Sequence, residues 1–176
     1  MLKPLPHRRL LGFSLVELMI GITIMAIVIS VGMPSYSTWI RNTRIRTVAE
    51  SIQNGLQMAR AEAVKRNAAV QFVLSDDASA AWVVGCVTVN STCPADIQSR
   101  TVGEGSSSDI IVETDAGYTV VFNNFGTVNT SPVPLLKVKS TIAVTDRELW
   151  ITIRVGGNIR MCDPSPTLSS TDPRKC

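Results

Sequence analysis

Few residues of this 176-residue chain have the types and spacing that catalysis needs. The only histidine, His7, lies within the first twelve residues, which excludes a histidine base or ligand from the rest of the chain. The serine-rich stretch GEGSSS at 103–108 lacks the strand–turn–helix context of a nucleophilic Gly-x-Ser-x-Gly motif. The adjacent acids Asp76 and Asp77 are typical of a solvated turn. We therefore predict no enzymatic activity, no cofactor and no metal site.

Glu17 is the one ionised side chain in an apolar run from Phe13 to Met33. The run has 21 residues, and about 20 are needed to cross a bilayer. A carboxylate in such a segment costs on the order of 2.5–3.5 kcal/mol at the helix centre and less near an end. A buried charge is tolerated when it is paired, so Glu17 predicts a cationic partner.

The first twelve residues carry three basic residues and no acid, and the remainder is formally neutral. This charge distribution gives no support for a general nucleic-acid binder.

Three interpretations compete for residues 1–34. A secretory signal peptide needs a small residue after the apolar region, but Gly12 precedes it. A plain anchor fits the length and leaves Glu17 unexplained. A peptidase that cuts after Gly12 makes Phe13 the new N-terminus, one helical turn from Glu17.

The stretch GFSLVELMIGITIMAIVISVGMPSY resembles the N-terminus of type IV prepilins and pseudopilins. A basic leader ends in Gly12, Phe13 follows, and Glu17 and Pro34 become the fifth and twenty-second mature residues. The resemblance implies cleavage by a prepilin peptidase between Gly12 and Phe13, with N-methylation of Phe13. It also implies single-pass insertion among inner-membrane lipids, with the leader cytoplasmic and the C-terminal domain periplasmic. Glu17 and Pro34 then belong to assembly with other pilins or pseudopilins.

A helical pattern continues beyond Pro34. Apolar residues recur at spacings of three, four and seven, which is typical of one stripe of an amphipathic helix: Ile45, Val48, Ala49, Ile52, Leu56, Ala59 and Ala63. We expect a long helix over 13–67 whose first half, 13–33, spans the membrane. Gly32 and Pro34 predict a kink or a melted turn.

Three arginines follow the apolar run, at Arg41, Arg44 and Arg46. Arginine side chains can extend to lipid headgroups from the end of a membrane segment, and we favour this interpretation over a specific partner site. Because basic residues flank the run on both sides, the positive-inside rule does not orient it.

The remainder is rich in Val, Ile and aromatic residues in short alternating runs separated by turn signals. The predicted strands are AAVQFVL, AWVVGCVTV, DIIVE, YTVVF, TIAVT (141–145) and ELWITIRV. We predict an antiparallel β-sheet domain at 68–162 and a proline-rich tail at 163–176. The fold class is therefore α+β, with a long N-terminal helix packed on an antiparallel sheet.

The second part of the chain adds to the resemblance. LQMARAEAVKRNAAVQF, VVFNNFGTV and ITIRVGGNIRMCDP are similar to helix-end, turn and final strand-pair motifs of the FimT, FimU and GspH group of minor pilins and pseudopilins. With the N-terminus, this resemblance covers most of residues 8–164. It implies the pilin fold for the whole chain.

The four cysteines, Cys86, Cys93, Cys162 and Cys176, lie on the side that the resemblance places in the periplasm, where disulfides persist. Four cysteines allow three pairings. Cys86 with Cys93 would close a local loop, and Cys162 with Cys176 would tie the tail to the last strand. A zinc site fits poorly, because neither C-x2-C spacing nor a histidine is available.

One basic constellation lies near the C-terminus: Arg154, Arg160, Arg174 and Lys175. We call these four residues the C-terminal basic cluster. Some FimT-type pilins bind DNA through a Gly-Arg-x-Arg motif, and the matching stretch here runs from Gly157 to Arg160, with Asn158 in place of the first arginine. The cluster is therefore a candidate DNA contact, against the alternative of a solvated hairpin.

The function that these features favour is that of a minor type IV pilin, incorporated into a filament or priming its assembly. The alternative within the same class is the minor pseudopilin H of type II secretion. The alternative from a different class is a DNA-binding pilin subunit for natural transformation.

Overall fold

The computed structural model describes residues 13–75, 80–101, 108–131, 133–142 and 146–176, in two units divided between Thr38 and Trp39. Gly12, Asp76, Asp77 and all of GEGSSS except Ser108 lie outside the described residues. Helix α1 (Leu15–Arg66) contributes to both units, and the eight strands belong to the second.

In the first unit, α1 begins at Leu15 and continues without interruption through Pro34. The melted turn predicted near Pro34 is therefore wrong. Proline lacks the backbone N–H that would donate within the helix. The Pro34 carbonyl, in contrast, is an acceptor for two side chains. It accepts hydrogen bonds from Ser37 Oγ at 2.8 Å and Thr38 Oγ1 at 3.2 Å, in addition to its place in the helix.

In the second unit, α1 buries the predicted apolar stripe. All seven stripe residues, from Ile45 to Ala63, have no exposed surface. The helix ends at Arg66, one residue before the predicted end, because Asn67 adopts a left-handed φ of 51°. Asparagine tolerates this conformation and is, after glycine, a residue found at left-handed helix ends. Asn124 Nδ2 donates to Asn67 Oδ1 at 2.9 Å, which ties the helix end to a β-turn.

The eight strands form two four-stranded antiparallel sheets. They are β1 (Val70–Leu74), β2 (Trp82–Cys86), β3 (Gln98–Arg100), β4 (Ile110–Thr114), β5 (Thr119–Phe122), β6 (Leu136–Ser140), β7 (Leu149–Ile153) and β8 (Ile159–Cys162). The first sheet has the order β3-β2-β1-β5 and the second the order β4-β6-β7-β8. All pairs are antiparallel, with Phe72 opposite Val84 and Ile151 opposite Met161, for example. The α+β prediction is confirmed.

Helix and both sheets share one hydrophobic core. Alternate residues of β1 and β2 point into it, among them Phe72 and Trp82 with ring centroids 5.7 Å apart. Gly55 allows the helix to approach these rings, because a Cβ at this position would lie 2.7 Å from the Phe72 ring. Trp82 Nε1 donates to the buried Ser51 hydroxyl at 2.9 Å, so the indole donor is satisfied.

The strand predicted at 141–145 is wrong as far as the structure describes it. Thr141 and Ile142 lie outside any strand and are exposed, and residues 143–145 lie outside the described residues. The strand here is β6, whose buried Leu136 and Val138 alternate with Lys137 and Lys139. Strand β3 was also missed, because its Gln-Ser-Arg sequence carries no apolar signal.

The three arginines after the apolar run each form an ion pair. Arg41 Nε lies 2.7 Å from Asp146 Oδ2, and Arg44 Nη1 lies 3.1 Å from Asp109 Oδ2. Arg46 pairs along the helix with Glu50 at 2.7 Å. The Asp146 carboxylate raises the pKa of Arg41, chiefly by hydrogen bonding. The structure gives these three arginines carboxylate partners within the chain, and their contact with lipid headgroups stays a prediction.

Candidate assembly segment and C-terminal surface

The described apolar side chains from Phe13 to Met33 are solvent-exposed. Phe13 is 85% exposed, and no large apolar residue of the run whose side chain is described is below 49%. Among the residues that the structure describes, α1 is the single helix long and apolar enough to cross a membrane. An 18-residue window of it has a mean hydropathy of 2.4 and no buried share. Proteins rarely leave so large an apolar surface without a partner, so this segment indicates contact with lipid or other subunits.

Glu17 lies in the first turn of α1, where its backbone N–H donates to the Ser14 hydroxyl at 3.2 Å. Ser14 thereby caps the helix, and a carboxylate in the first turn is favoured by the helix dipole. Ser-x-x-Glu before an apolar run is a capping-box pattern, which the sequence analysis missed. Glu17 therefore has a local role at the helix start besides the predicted partner. Phe13, at the predicted cleavage point, precedes the helix.

Two disulfides link the four cysteines, as Cys86–Cys93 and Cys162–Cys176. The first closes an exposed loop at the end of β2, where Cys86 N–H also donates to the Pro94 carbonyl at 2.9 Å. The second joins the end of β8 to the last residue of the chain. Of the three possible connectivities of four cysteines, the structure has the one in which both bridges are local in sequence.

The tail after β8 is an ordered part of the domain. Asp163 N–H donates to the Arg174 carbonyl at 2.7 Å, and Cys176 N–H donates to the Asp163 carbonyl at 3.2 Å. The Asp163 side chain is 7% exposed, accepts from Arg147 Nε at 2.8 Å and accepts from Ser165 N–H at 2.9 Å. This ion pair is not predictable from the sequence, because no local pattern links Arg147 to Asp163.

A cleft of about 790 Å³ lies beside this ion pair. Its walls come from the segment before β7, from Trp150 of β7 and from the tail between Asp163 and Leu168. The Trp150 indole is fixed from two sides, because its Nε1 donates to Glu148 Oε1 at 2.6 Å and Lys137 Nζ lies 5.4 Å from the ring centroid.

The C-terminal basic cluster makes mainly internal contacts. Arg160 Nη2 donates to the carbonyls of Pro173 and Lys175 at 2.8 and 2.9 Å. Arg174 binds the Asp172 carboxylate through Nη2 at 2.7 Å and Nε at 3.0 Å. This side-chain pair, with the Arg174 backbone N–H, lowers the pKa of Asp172 to about 2.

The remaining two cations of the cluster differ from each other. Lys175 Nζ donates to the Leu168 carbonyl at 3.2 Å, whereas Arg154 is exposed in the turn between β7 and β8. The structure therefore brings Arg160, Arg174 and Lys175 to the tail but uses them to hold it. As for metals, no group of three or more His, Cys, Asp or Glu side chains with ligating geometry occurs among the described residues.

Two family models match the chain. The model described as Type II transport protein GspH matches residues 48–170, and the model described as a prokaryotic N-terminal methylation motif matches residues 8–33. No curated protein sequence matches the chain significantly.

Three solved structures are similar. Two crystal structures of the type IV minor pilin FimU from Pseudomonas aeruginosa have TM-scores of 0.57 and 0.53, at 17% and 18% identity. They cover 70% and 66% of this chain and 91% and 90% of their own. The minor pseudopilin EpsH from the type 2 secretion system of Vibrio cholerae has a TM-score of 0.53 at 15% identity, covering 69% of this chain and 98% of its own.

At these identities the structural likeness establishes the fold, and the family follows from the sequence models. The GspH model spans more than half of the chain and contains every strand, while the methylation-motif model contains Glu17 and the exposed apolar run. The chain therefore belongs to the GspH family and has the fold shared by minor pilins and minor pseudopilins.

Proposed function

We propose that the chain is a minor type IV pilin, which acts by incorporation into a filament or its initiating complex. The observation that carries the proposal is the exposed apolar segment of α1, with Glu17 in its first turn, inside a matched N-terminal methylation motif. A surface of this kind is stable only in lipid or against other apolar helices. A pilin subunit occupies both environments, first lipid in the membrane and then the apolar helices of other subunits in the filament.

Processing precedes assembly in this proposal. A prepilin peptidase removes residues 1–12 between Gly12 and Phe13, and the new α-amino group of Phe13 is methylated. Glu17 then lies one helical turn from a cation on its own chain and can pair with that of a neighbouring subunit. An unpaired charge in an apolar environment is strongly destabilising. Only the helix register that brings the Glu17 carboxylate and the neighbouring α-amino group together avoids this cost, so the ion pair would select that register.

The location follows from the same reasoning. Residues 13–33 span the inner membrane once, the leader is cytoplasmic, and the domain from residue 39 onward is periplasmic. The two disulfides support this orientation, since disulfides persist in the oxidising periplasm.

The second candidate is a minor pseudopilin of type II secretion, because the matching family model carries that description. The two candidates differ in where the mature protein accumulates. A pilin should be recovered with filaments sheared from the cell surface, and its deletion should reduce piliation. A pseudopilin should stay in the membrane fraction, and its deletion should leave secreted proteins in the periplasm.

DNA binding is the weaker alternative. Arg160, Arg174 and Lys175 already donate to carbonyls or a carboxylate of the tail, and Asn158 replaces an arginine of the motif. Phosphate binding would have to compete with these contacts.

A further inference from the structure

Three exposed apolar side chains lie together where α1 ends and two turns meet. Phe125 is 78% exposed, Val155 67% and Val64 53%. We call these three residues the Phe125 patch. Neither the apolar membrane segment nor the disulfide-linked tail includes them.

The turn that carries Phe125 is held by hydrogen bonds. Asn123 Oδ1 accepts from the backbone N–H groups of Phe125 at 3.0 Å and Thr127 at 3.1 Å. The Asn123 carbonyl accepts from Gly126 N–H at 2.8 Å. A large apolar ring is thus presented to solvent on a turn that has little freedom to fold it inward.

The two turns and the helix are also fixed to one another. Val128 N–H donates to the Val155 carbonyl at 2.8 Å, and Arg60 Nε donates to the Gly126 carbonyl at 3.1 Å. Gly157 has a φ of 76°, and a Cβ there would lie 2.0 Å from the Gly126 carbonyl oxygen. The patch is therefore preorganised, so that a partner would not have to order it on binding.

The surroundings of the patch are basic. The turns at 123–127 and 154–158 contain Arg154 and no acid. On α1, the negative charge of Glu62 is balanced by two cations, since Lys65 Nζ lies 2.9 Å from Glu62 Oε1 and Arg66 Nε lies 2.6 Å from Glu62 Oε2. A shallow depression of about 560 Å³ next to Val64 is lined by Gln57, Arg60, Ala61 and Lys65 as well. A complementary surface would present an apolar side chain flanked by carboxylates.

We propose that the Phe125 patch docks a different subunit of the same filament, through an apolar side chain flanked by Asp or Glu. This inference rests on the proposed function. A symmetric contact with a second copy would place the basic surroundings of one patch opposite those of the other, which is repulsive. A nucleic acid would leave the two valines without a matching surface, and Arg60 Nε already donates to Gly126.

The test uses the full-length chain, in its host, with a photo-crosslinking phenylalanine analogue in place of Phe125. The matched control carries the same analogue at Ile142, which is 63% exposed. Thr141 and Arg44 both bind Asp109, so Ile142 lies near Arg44, about 30 Å along α1 from Val64. Leader removal and recovery with filaments or the secretion complex are measured on the same samples.

We expect position 125, and not position 142, to crosslink to one region of another subunit that contains Asp or Glu beside an apolar residue. Arg154→Glu, an exposed substitution that should leave the fold intact, should lower the yield by about tenfold or more, because like charges would then meet. Formation of both disulfides serves as the folding control for each variant.

Equal yields at the two positions, an unchanged yield with Arg154→Glu, or a product with a second copy, lipid or nucleic acid would overturn this inference alone. This conclusion holds when the same samples show that the leader has been removed and that the chain has been incorporated. A chain that keeps its leader and joins no assembly would overturn the proposed function, and the inference with it.

Discussion

Substitutions of Glu17 can separate its charge from its contribution to the helix start. Glu17→Ala removes both, whereas Glu17→Gln removes the charge and keeps a side chain that can complete a capping box with Ser14. A first-turn carboxylate contributes about 0.3–1 kcal/mol through the helix dipole. Removing one partner of a buried ion pair costs about 3–5 kcal/mol. If Glu17 pairs with a neighbouring α-amino group, loss of the ion pair therefore outweighs loss of the helix-dipole interaction several-fold.

We therefore expect Glu17→Ala and Glu17→Gln to lower incorporation alike, by roughly 10²–10⁴-fold at the level of the subunit equilibrium. Membrane insertion should be unchanged or improved, because an intramembrane charge is lost. The assay is the ratio of subunit in sheared filaments or isolated secretion complexes to subunit in membranes, by immunoblot in a deletion strain. Normal incorporation of Glu17→Gln together with loss for Glu17→Ala would refute the ion-pair reasoning and leave only the helix-capping role.

Three further outcomes concern the folded domain. Replacing Cys162 and Cys176 by Ser should lower the free energy of unfolding by about 3 kcal/mol, the loop-closure value for a loop of this length, as measured by urea titration. Gly85→Ala should destabilise by about 1–3 kcal/mol or more, because its Cβ would lie 1.7 Å from the Ala95 carbonyl oxygen. Gly156→Ala, which meets nothing within 4 Å, is the control and should change stability by less than about 0.5 kcal/mol. Duplex DNA should bind weakly or not at all, with a log–log salt slope no steeper than about −1, because three of the four cations of the C-terminal basic cluster are engaged. A slope near −4 would restore the DNA-binding hypothesis.

The long helix could be predicted because its signal is local and repeated. Every residue of the predicted stripe is buried, and the helix end differs by one position. The end itself depends on Asn67, whose left-handed φ the sequence permits without requiring it. The continuity through Pro34 was not predictable from local rules, since proline weakens a helix without always interrupting it.

The strands were predicted less well where the apolar content of a segment is a poor guide to whether the segment belongs to a sheet. In β6 the lysines alternate with buried residues, but the neighbouring prolines suggested a turn, and the more apolar TIAVT was chosen instead. The separation into two sheets was also missed. It depends on pairings between distant strands, such as β1 with β5 and β4 with β6, which no local pattern specifies.

In the candidate site, too, the features that depend on neighbouring residues could be predicted and those that depend on distant segments could not. The residues of the N-terminal motif are adjacent in sequence, so their grouping at one helix end could be predicted. The C-terminal basic cluster was identified as a set of charges, but its contacts depend on the path of the tail from Asp163 to Cys176. That path returns Pro173 and Lys175 to Arg160 and provides carbonyl partners that the sequence alone does not place.

The N-terminus of the mature protein tests the central claim most directly. Intact-mass and peptide mass spectrometry of the full-length protein, purified from its host with the prepilin peptidase active, should find a chain that begins at N-methylated Phe13. Gly12→Val should leave the leader attached, because the peptidase must accommodate a residue of minimal size at the scissile bond. A wild-type protein that retains Met1 to Gly12, or that begins at any residue other than Phe13, would contradict the account of this chain as a pilin or pseudopilin subunit.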